Sequence, residues 1–239
     1  MRRRAFFNVY NLSDMTDTSS THGWSALLII LFLSGVTFLF FFLYLKPPTV
    51  PDSPERTRLE PLEEPTITVV NPRQGAANAQ VTIVEFGDYQ CGACQDLHKV
   101  VGTVMAEHPD TIRRVWKDMP NEELHPQATS AAIAARCAED QGKFWEYHEL
   151  LFTQSRLLNE ATYRAIAQAT ELNLNTFDRC FQSQDPLPRI QHDFEEGIRL
   201  SLTATPTIFV NRERYTGSIT LEDLREIVQK ELDALAPAL

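Results

Sequence analysis

The chain has 239 residues, 43% of them hydrophobic and 23% charged, which leaves room for one sizeable domain or two small ones. Its net charge is −10, and beyond residue 45 there are 19 Lys and Arg against 30 Asp and Glu. No basic cluster interleaves with aromatic residues, which argues against a nucleic-acid partner, and the acidity reads as a solvated surface.

Residues 1–25 are expected to form a cytoplasmic N-terminal segment. Residues 26–45, ALLIILFLSGVTFLFFFLYL, run for 20 positions without a charge. At about 1.5 Å per residue this is the thickness of a bilayer core. The run ends in KPPTVP, which offers no small-x-small cleavage site, so a retained transmembrane anchor fits better than a signal peptide or a buried core helix. Orientation is close to a draw by charge: Arg2, Arg3 and Arg4 precede the span, and Lys46, Arg56 and Arg58 follow it. Residues 46–65, KPPTVPDSPERTRLEPLEEP, hold six prolines and five acids and should behave as a semi-rigid spacer.

A folded domain is expected over 66–239. TITVV (66–70) is a short strand candidate, followed by a turn-rich connection. VTIVEFGD (81–88) is rich in β-branched and aromatic residues and predicts a strand. From 92 to 108 the apolar positions 93, 97, 100, 101, 104 and 105 have helical spacing, and TIRRVWKDMP (111–120) predicts a further strand ending at proline. Strand, helix and strand with short connections imply a parallel βαβ unit. Helical patterns fill a block at about 121–202: HPQATSAAIAARCAED, KFWEYHELLFTQ, NEATYRAIAQATEL and NTFDRCFQ. TPTIFVN and RERYTG then read as paired strands, and SITLEDLREIVQKELDAL as a capped amphipathic helix.

All four cysteines lie beyond residue 90, and an even count permits disulfides without requiring them. Cys91 and Cys94 form a Cys-x-x-Cys pair between the first strong strand and its helix. Structural zinc needs four ligands; Cys137 and Cys180 stand apart, and no His pair has ligand spacing. A helix start places the first sulfur among unpaired N–H groups and the positive end of the dipole, where a thiolate is favoured. Cys94, one turn on, can attack a mixed disulfide formed at Cys91. A static disulfide closing a turn is the plainer alternative.

These stretches together, VTIVEFGDYQCGAC, QGKFWEYHELLF within a helical insertion, TATPTIFVN and a ββα end, resemble the membrane-anchored DsbA-like thiol:disulfide oxidoreductases of the thioredoxin superfamily. The resemblance spans roughly 66–235. It implies a thioredoxin-like α/β fold with a helical insertion, preceded by a single transmembrane helix. It also implies a buried acid at Glu85 that relays protons to Cys94, a cis bond before Pro206 with Thr205 docking an extended substrate strand, and a second disulfide between Cys137 and Cys180. Closing that 43-residue loop would contribute at most about 4 kcal/mol. His98 and Trp145 are candidates to line the active-site groove, or else solvated and core positions. Between the cysteines stand Gly92 and Ala93, where the family's best-known oxidase has Pro-His.

The expected function is exchange of disulfides with unfolded or exported proteins, as an oxidase, with electrons passing to a membrane redox partner and with no cofactor and no metal. Such chemistry belongs outside the cytosol, so the domain is expected on the outer, periplasmic face of a bacterial plasma membrane. A reductase or isomerase, a Cu(I) metallochaperone using the same two thiols, and an interaction module remain as alternatives.

Overall fold

A computed structural model describes residues 20–44 and 61–235, with side chains from Trp24 onward in the first stretch. Residues 1–19, most of the proposed spacer (46–60) and the last four residues lie outside it, as do Leu45 and the flanking cations Arg2, Arg3, Arg4, Lys46, Arg56 and Arg58. The chain divides into two units, Met1–Arg58 and Leu59–Leu239.

In the first unit, α1 (Ser20–Tyr44) is a single helix, of which the 21 residues Trp24–Tyr44 are long and apolar enough to cross a membrane. The Thr37 hydroxyl in mid-span is satisfied internally, since its Oγ1 donates to the carbonyls of Leu33 and Ser34 at 2.8 and 2.9 Å. The helix starts earlier than the apolar run because Ser20 to Ser25 extend it.

The second unit is a thioredoxin-like α/β fold. A five-stranded sheet has the order β1 (Arg73–Gly75), β3 (Ile112–Asp118), β2 (Val81–Gly87), β4 (Thr207–Val210), β5 (Glu213–Thr216). The β2–β3 pair is parallel and joined through α2 (Gly92–Glu107), the βαβ unit expected from the sequence; all other pairs are antiparallel. Val81 and Ile83 from β2 pack with Leu97, Val101 and Val104 of α2 and with Leu224 and Val228 of α8 (Leu221–Leu235). On the opposite face Val84, Phe86, Val115 and Phe209 form a second layer. Period-2 alternation in β2 thus fills both faces of a central strand.

Between β3 and β4 come five helices: α3 (Ala128–Glu139), α4 (Phe144–Thr153), α5 (Glu160–Ala169), α6 (Leu174–Ser183) and α7 (Leu187–Arg199). Side-chain caps start several of the helices: Asn159 and Asn173 accept the N–H of Thr162 and Thr176, and Thr220 and Asp223 cap α8 reciprocally. The β4–β5 hairpin turns at Asn211–Arg212, where Asn211 takes φ +52° and its side-chain oxygen accepts the N–H of Thr82.

Two expectations are corrected. Thr66–Val70 is not a strand. Its donors go elsewhere: the Thr66 N–H to the Glu196 carboxylate, and the Thr68 N–H to Asn71 Oδ1 at 2.9 Å, while Asn71 N–H closes a turn on Thr68 O. A local Asn side chain outcompetes a ladder here, and the edge strand is β1 instead. Residues 61–65, assigned to the spacer, lie on the domain. Leu62 N–H donates to Arg199 O at 3.0 Å, and its side chain packs on the Val84–Phe86 layer.

The helical block is tied to the sheet by buried charge. Arg136 of α3 is fully buried and reaches Asp118 at the end of β3 and Asp193 of α7, both at 2.6 Å. Lys117, equally buried, bonds Glu196 at 2.7 Å and Asp193 at 3.3 Å. These pairs hold α3, α7 and β3 in one register, since a charge left without its partner there is costly.

Candidate active site

Along β2, Val81, Ile83 and Glu85 point to the α2 face, so the last side chain before Gly87 in an otherwise apolar row is a carboxyl. Glu85 is 1% exposed, and its Oε1 has no hydrogen-bond partner among the described residues. Burial pushes its pKa up from 4.5 to about 7; the nearby Arg114 guanidinium opposes the rise and Cys91 adds to it. Arg114 lies on the same sheet face one strand over, paired with Ile83, while Trp116 is paired with Glu85. Sequence reading missed Arg114, because RRVW shows a cation in a strand but not that the parallel register sets it beside Glu85.

After Gly87 the chain leaves the sheet through Asp88, Tyr89 and Gln90. Only glycine fits at 87: a Cβ there would lie 2.4 Å from the Trp116 ring. The buried Asp88 carboxylate organises the loop by accepting N–H groups from Gln90 at 2.8 Å and Asn121 at 2.9 Å, and by meeting His125 Nδ1 at 2.8 Å. Its own carbonyl accepts the Cys91 N–H at 3.1 Å.

Cys91 is thereby placed as the N-cap of α2, with its Sγ accepting the Cys94 N–H at 3.2 Å. Both thiols are free. The Cys91 thiol is lowered from 9.0 to about 6, chiefly by the hydrogen bond from the Cys94 side chain and also by the Cys94 backbone N–H and Thr205; burial and Asp88 oppose this. Cys94 is fully buried, and burial, together with the hydrogen bond to and charge of Cys91, holds its thiol far above the ordinary range. The two sulfurs are therefore chemically unequal: the outer one is a thiolate at neutral pH, and the inner one a thiol.

The Thr205–Pro206 bond is cis. Because β4 begins at Thr207 opposite Phe86, this bond comes alongside the end of β2, and Cys91 Sγ lies 3.5 Å from Thr205 O. Glu85, Cys91, Cys94, Thr205 and Pro206 thus converge on one spot. Cys137 and Cys180 lie apart, in the helical block, as a disulfide with S–S 2.02 Å joining α3 to α6.

His98 and Trp145 do not line an open groove. His98 is buried on α2, its Nε2 2.7 Å from Glu149 and its Nδ1 3.5 Å from Arg114. Burial and Arg114 lower its pKa, with Glu149 opposing. Trp145 donates to Arg73 O at 2.9 Å and covers the Arg114 guanidinium at 4.1 Å. His148, fully buried, meets Tyr89 OH at 2.8 Å and is held neutral by burial, then by Arg114. The aromatic cluster of Tyr89, Trp116, His148 and Phe152 forms the dry wall behind the cysteines. Among the described residues, one group of metal-ligand type, His192, Asp193 and Glu196, is close-set. Its two carboxylates are already engaged by Lys117 and Arg136, so it does not fit a metal.

Residues 68–230 match the family model described as thioredoxin. The curated relatives include the Na(+)/H(+) antiporter NhaA 1 of Salinispora arenicola (strain CNS-205), 36% identical over 155 residues. The match covers 65% of this chain and 24% of that protein, so the chain spans about a quarter of the length of such relatives. A thioredoxin-like oxidoreductase from Silicibacter pomeroyi DSS-3 superposes with TM-score 0.63 at 25% identity, over 70% of this chain and 94% of that one. The thiol-disulfide exchange protein alpha-DsbA2 from Wolbachia pipientis shares the fold with TM-score 0.61 at 19% identity, over 68% and 87% of the two chains.

Proposed function

The chain belongs to the thioredoxin family, and from that premise we propose that it is a thiol:disulfide oxidoreductase that oxidises exported proteins through Cys91 and Cys94. The observation that carries this reading is the unequal pair: a capped Cys91 thiolate in contact with Thr205, and a buried Cys94 beside Glu85.

In the oxidised protein, a substrate thiolate attacks Cys91 Sγ, and the Cys91–Cys94 bond breaks. Cys94 leaves with the electron pair, and because its thiol form is so strongly favoured it takes a proton, which Glu85 supplies. A second substrate thiolate then attacks the substrate sulfur of the mixed disulfide. Cys91 departs as a thiolate that needs no proton near neutral pH. The substrate gains a disulfide, and two electrons remain in the dithiol for a membrane redox partner to collect. Thr205 and Pro206 hold the substrate backbone across the sulfur.

A Cys91 thiol lowered from 9.0 to about 6 stabilises the reduced pair at neutral pH and so favours the oxidising direction. The Cu(I) alternative gains nothing from this site, since Cys94 has no exposed surface and keeps its proton. The helix Trp24–Tyr44 and the Cys137–Cys180 bridge support an anchored domain on the outer face of a bacterial plasma membrane.

The test is a redox titration of the full chain in neutral detergent against glutathione buffers, following Cys91–Cys94 oxidation. A potential at or above the glutathione poise is expected. A strongly reducing value would refute the oxidase and leave a reductase. For location, alkaline phosphatase fused after residue 239 should be active in a bacterial host, and an inactive fusion would put the domain in the cytosol.

A further inference from the structure

A groove of about 850 Å³ opens beside the cysteines, and its lining includes Thr205, the residue whose carbonyl is 3.5 Å from Cys91 Sγ. Its size falls within the roughly 300–1,000 Å³ typical of ligand sites. The floor is apolar, made by Met119, Leu187, Ile190, Phe194 and Leu202, and Phe194 is 39% exposed. The lining also includes three exposed carboxylates, Glu122, Glu123 and Glu195, and no Lys or Arg. None of the three makes an ion pair or side-chain hydrogen bond among the described residues. Elsewhere on the domain several exposed carboxylates are neutralised by arginine, as in Glu107–Arg225, Asp140–Arg189 and Glu64–Arg212. The wall is also tied to the reacting centre: Asn121, next to Glu122, gives its N–H to the Asp88 carboxylate that holds the Cys91 loop. The exchange chemistry uses none of the groove's residues beyond Thr205.

We infer that this groove receives the stretch of substrate polypeptide next to the reacting cysteine and selects for an apolar side chain accompanied by Lys or Arg. The inference rests on the oxidoreductase reading and names its substrate class. A polypeptide whose cysteine is joined to Cys91 passes Thr205, and its next residues lie over the groove. There an apolar side chain covers Phe194 and Leu202, and a cation meets carboxylates that have no ion-pair partner among the described residues. Charge argues against a second copy as the occupant, since the chain carries −10 and would bring acid to acid.

The test uses the full-length reduced protein in neutral detergent and single-cysteine peptides capped as mixed disulfides with thionitrobenzoate. Cys91 attacks the peptide sulfur, releasing coloured thionitrobenzoate, and Cys94 then frees the peptide thiol, leaving the protein oxidised. Peptides carrying Phe with two Lys should react about tenfold faster than those carrying Phe with two Glu, and the gap should shrink in 0.5 M salt. In the E122Q/E123Q/E195Q variant the two peptides should react alike. Phe194→Ser should slow both peptides several-fold. Neither variant should change the rate with 4,4′-dithiodipyridine, a small neutral disulfide that needs no groove. Equal rates for the two peptides in the unaltered protein, or a gap that survives the triple substitution, would overturn the inference while leaving the oxidoreductase reading intact. If dithiodipyridine also fails to react, the oxidoreductase reading falls and this one with it. A dimer in sedimentation that dissociates on Phe194→Ser would assign the groove to a second copy and overturn the inference.

Discussion

Replacing Glu85 by Gln should make stability less dependent on pH. The carboxyl is fully buried, and its pKa is raised from 4.5 to about 7, so the folded chain binds more protons than the unfolded chain between those values. Stability carried by the neutral carboxyl is therefore complete in acid and is lost as pH rises toward 7, the sign that follows from a raised folded-state pKa. Between pH 5 and pH 8 the loss comes to about 2–3 kcal/mol, because one pKa unit corresponds to about 1.4 kcal/mol. Glu85→Gln cannot ionise and should escape that loss. Urea unfolding of the reduced protein in neutral detergent at the two pH values, read by Trp fluorescence, measures the difference. The variant should gain about 2–3 kcal/mol over the parent on going from pH 5 to pH 8. In the same variant, resolution of a mixed disulfide by Cys94 should slow by about 100-fold, the scale of a lost acid–base group. A stability difference that is the same at both pH values would refute the buried-carboxyl argument.

Cys94→Ala removes the side-chain hydrogen bond that most stabilises the Cys91 thiolate and leaves the backbone N–H in place. Thiolate absorbance at 240 nm should titrate with a midpoint near pH 6 in the parent and clearly higher in the variant. Arg114 lowers the Glu85 pKa, so Arg114→Met should move the pH profile of mixed-disulfide resolution upward. Arg136→Met leaves Asp118 without its buried cation and Asp193 with Lys117 as its buried cation, and should cost about 3–5 kcal/mol in urea unfolding. Gly87→Ala drives a methyl to 2.4 Å from the Trp116 ring and should cost about 1–3 kcal/mol in the same assay.

Strong periodicity made several elements legible in advance. VTIVEFG, the 92–108 helix, IRRVWKD and the closing ββα all form where their patterns put them, because each pattern meets a core on the expected face. Thr66–Val70 has strand composition and forms none, since Asn71 and Glu196 take its donors, and Glu196 is 130 residues away in sequence. The domain begins earlier than its composition suggests for a similar reason. The Pro-rich composition up to residue 65 reads as spacer, but Leu62 finds Arg199 and an apolar layer.

The sequence by itself determined the reactive pair and its setting. A Cys-x-x-Cys at a strand-to-helix junction puts the first sulfur at a helix N-terminus whatever the rest of the chain does, because capping and helix dipole are local. It also determined that an apolar helix long enough to cross a membrane precedes the domain, read at 26–45 and found at Trp24–Tyr44, since this depends only on composition and rise per residue. Only the tertiary structure decided how the two sulfurs differ and what surrounds them. The near-neutral Glu85, its neighbour Arg114, the buried Cys94, and the acidic apolar groove running to Thr205 come from strands β2, β3 and β4 meeting helices α2, α3 and α7. Desolvation and Coulomb interactions act through space, as between Glu85 and Arg114 on neighbouring strands, and no local pattern records them.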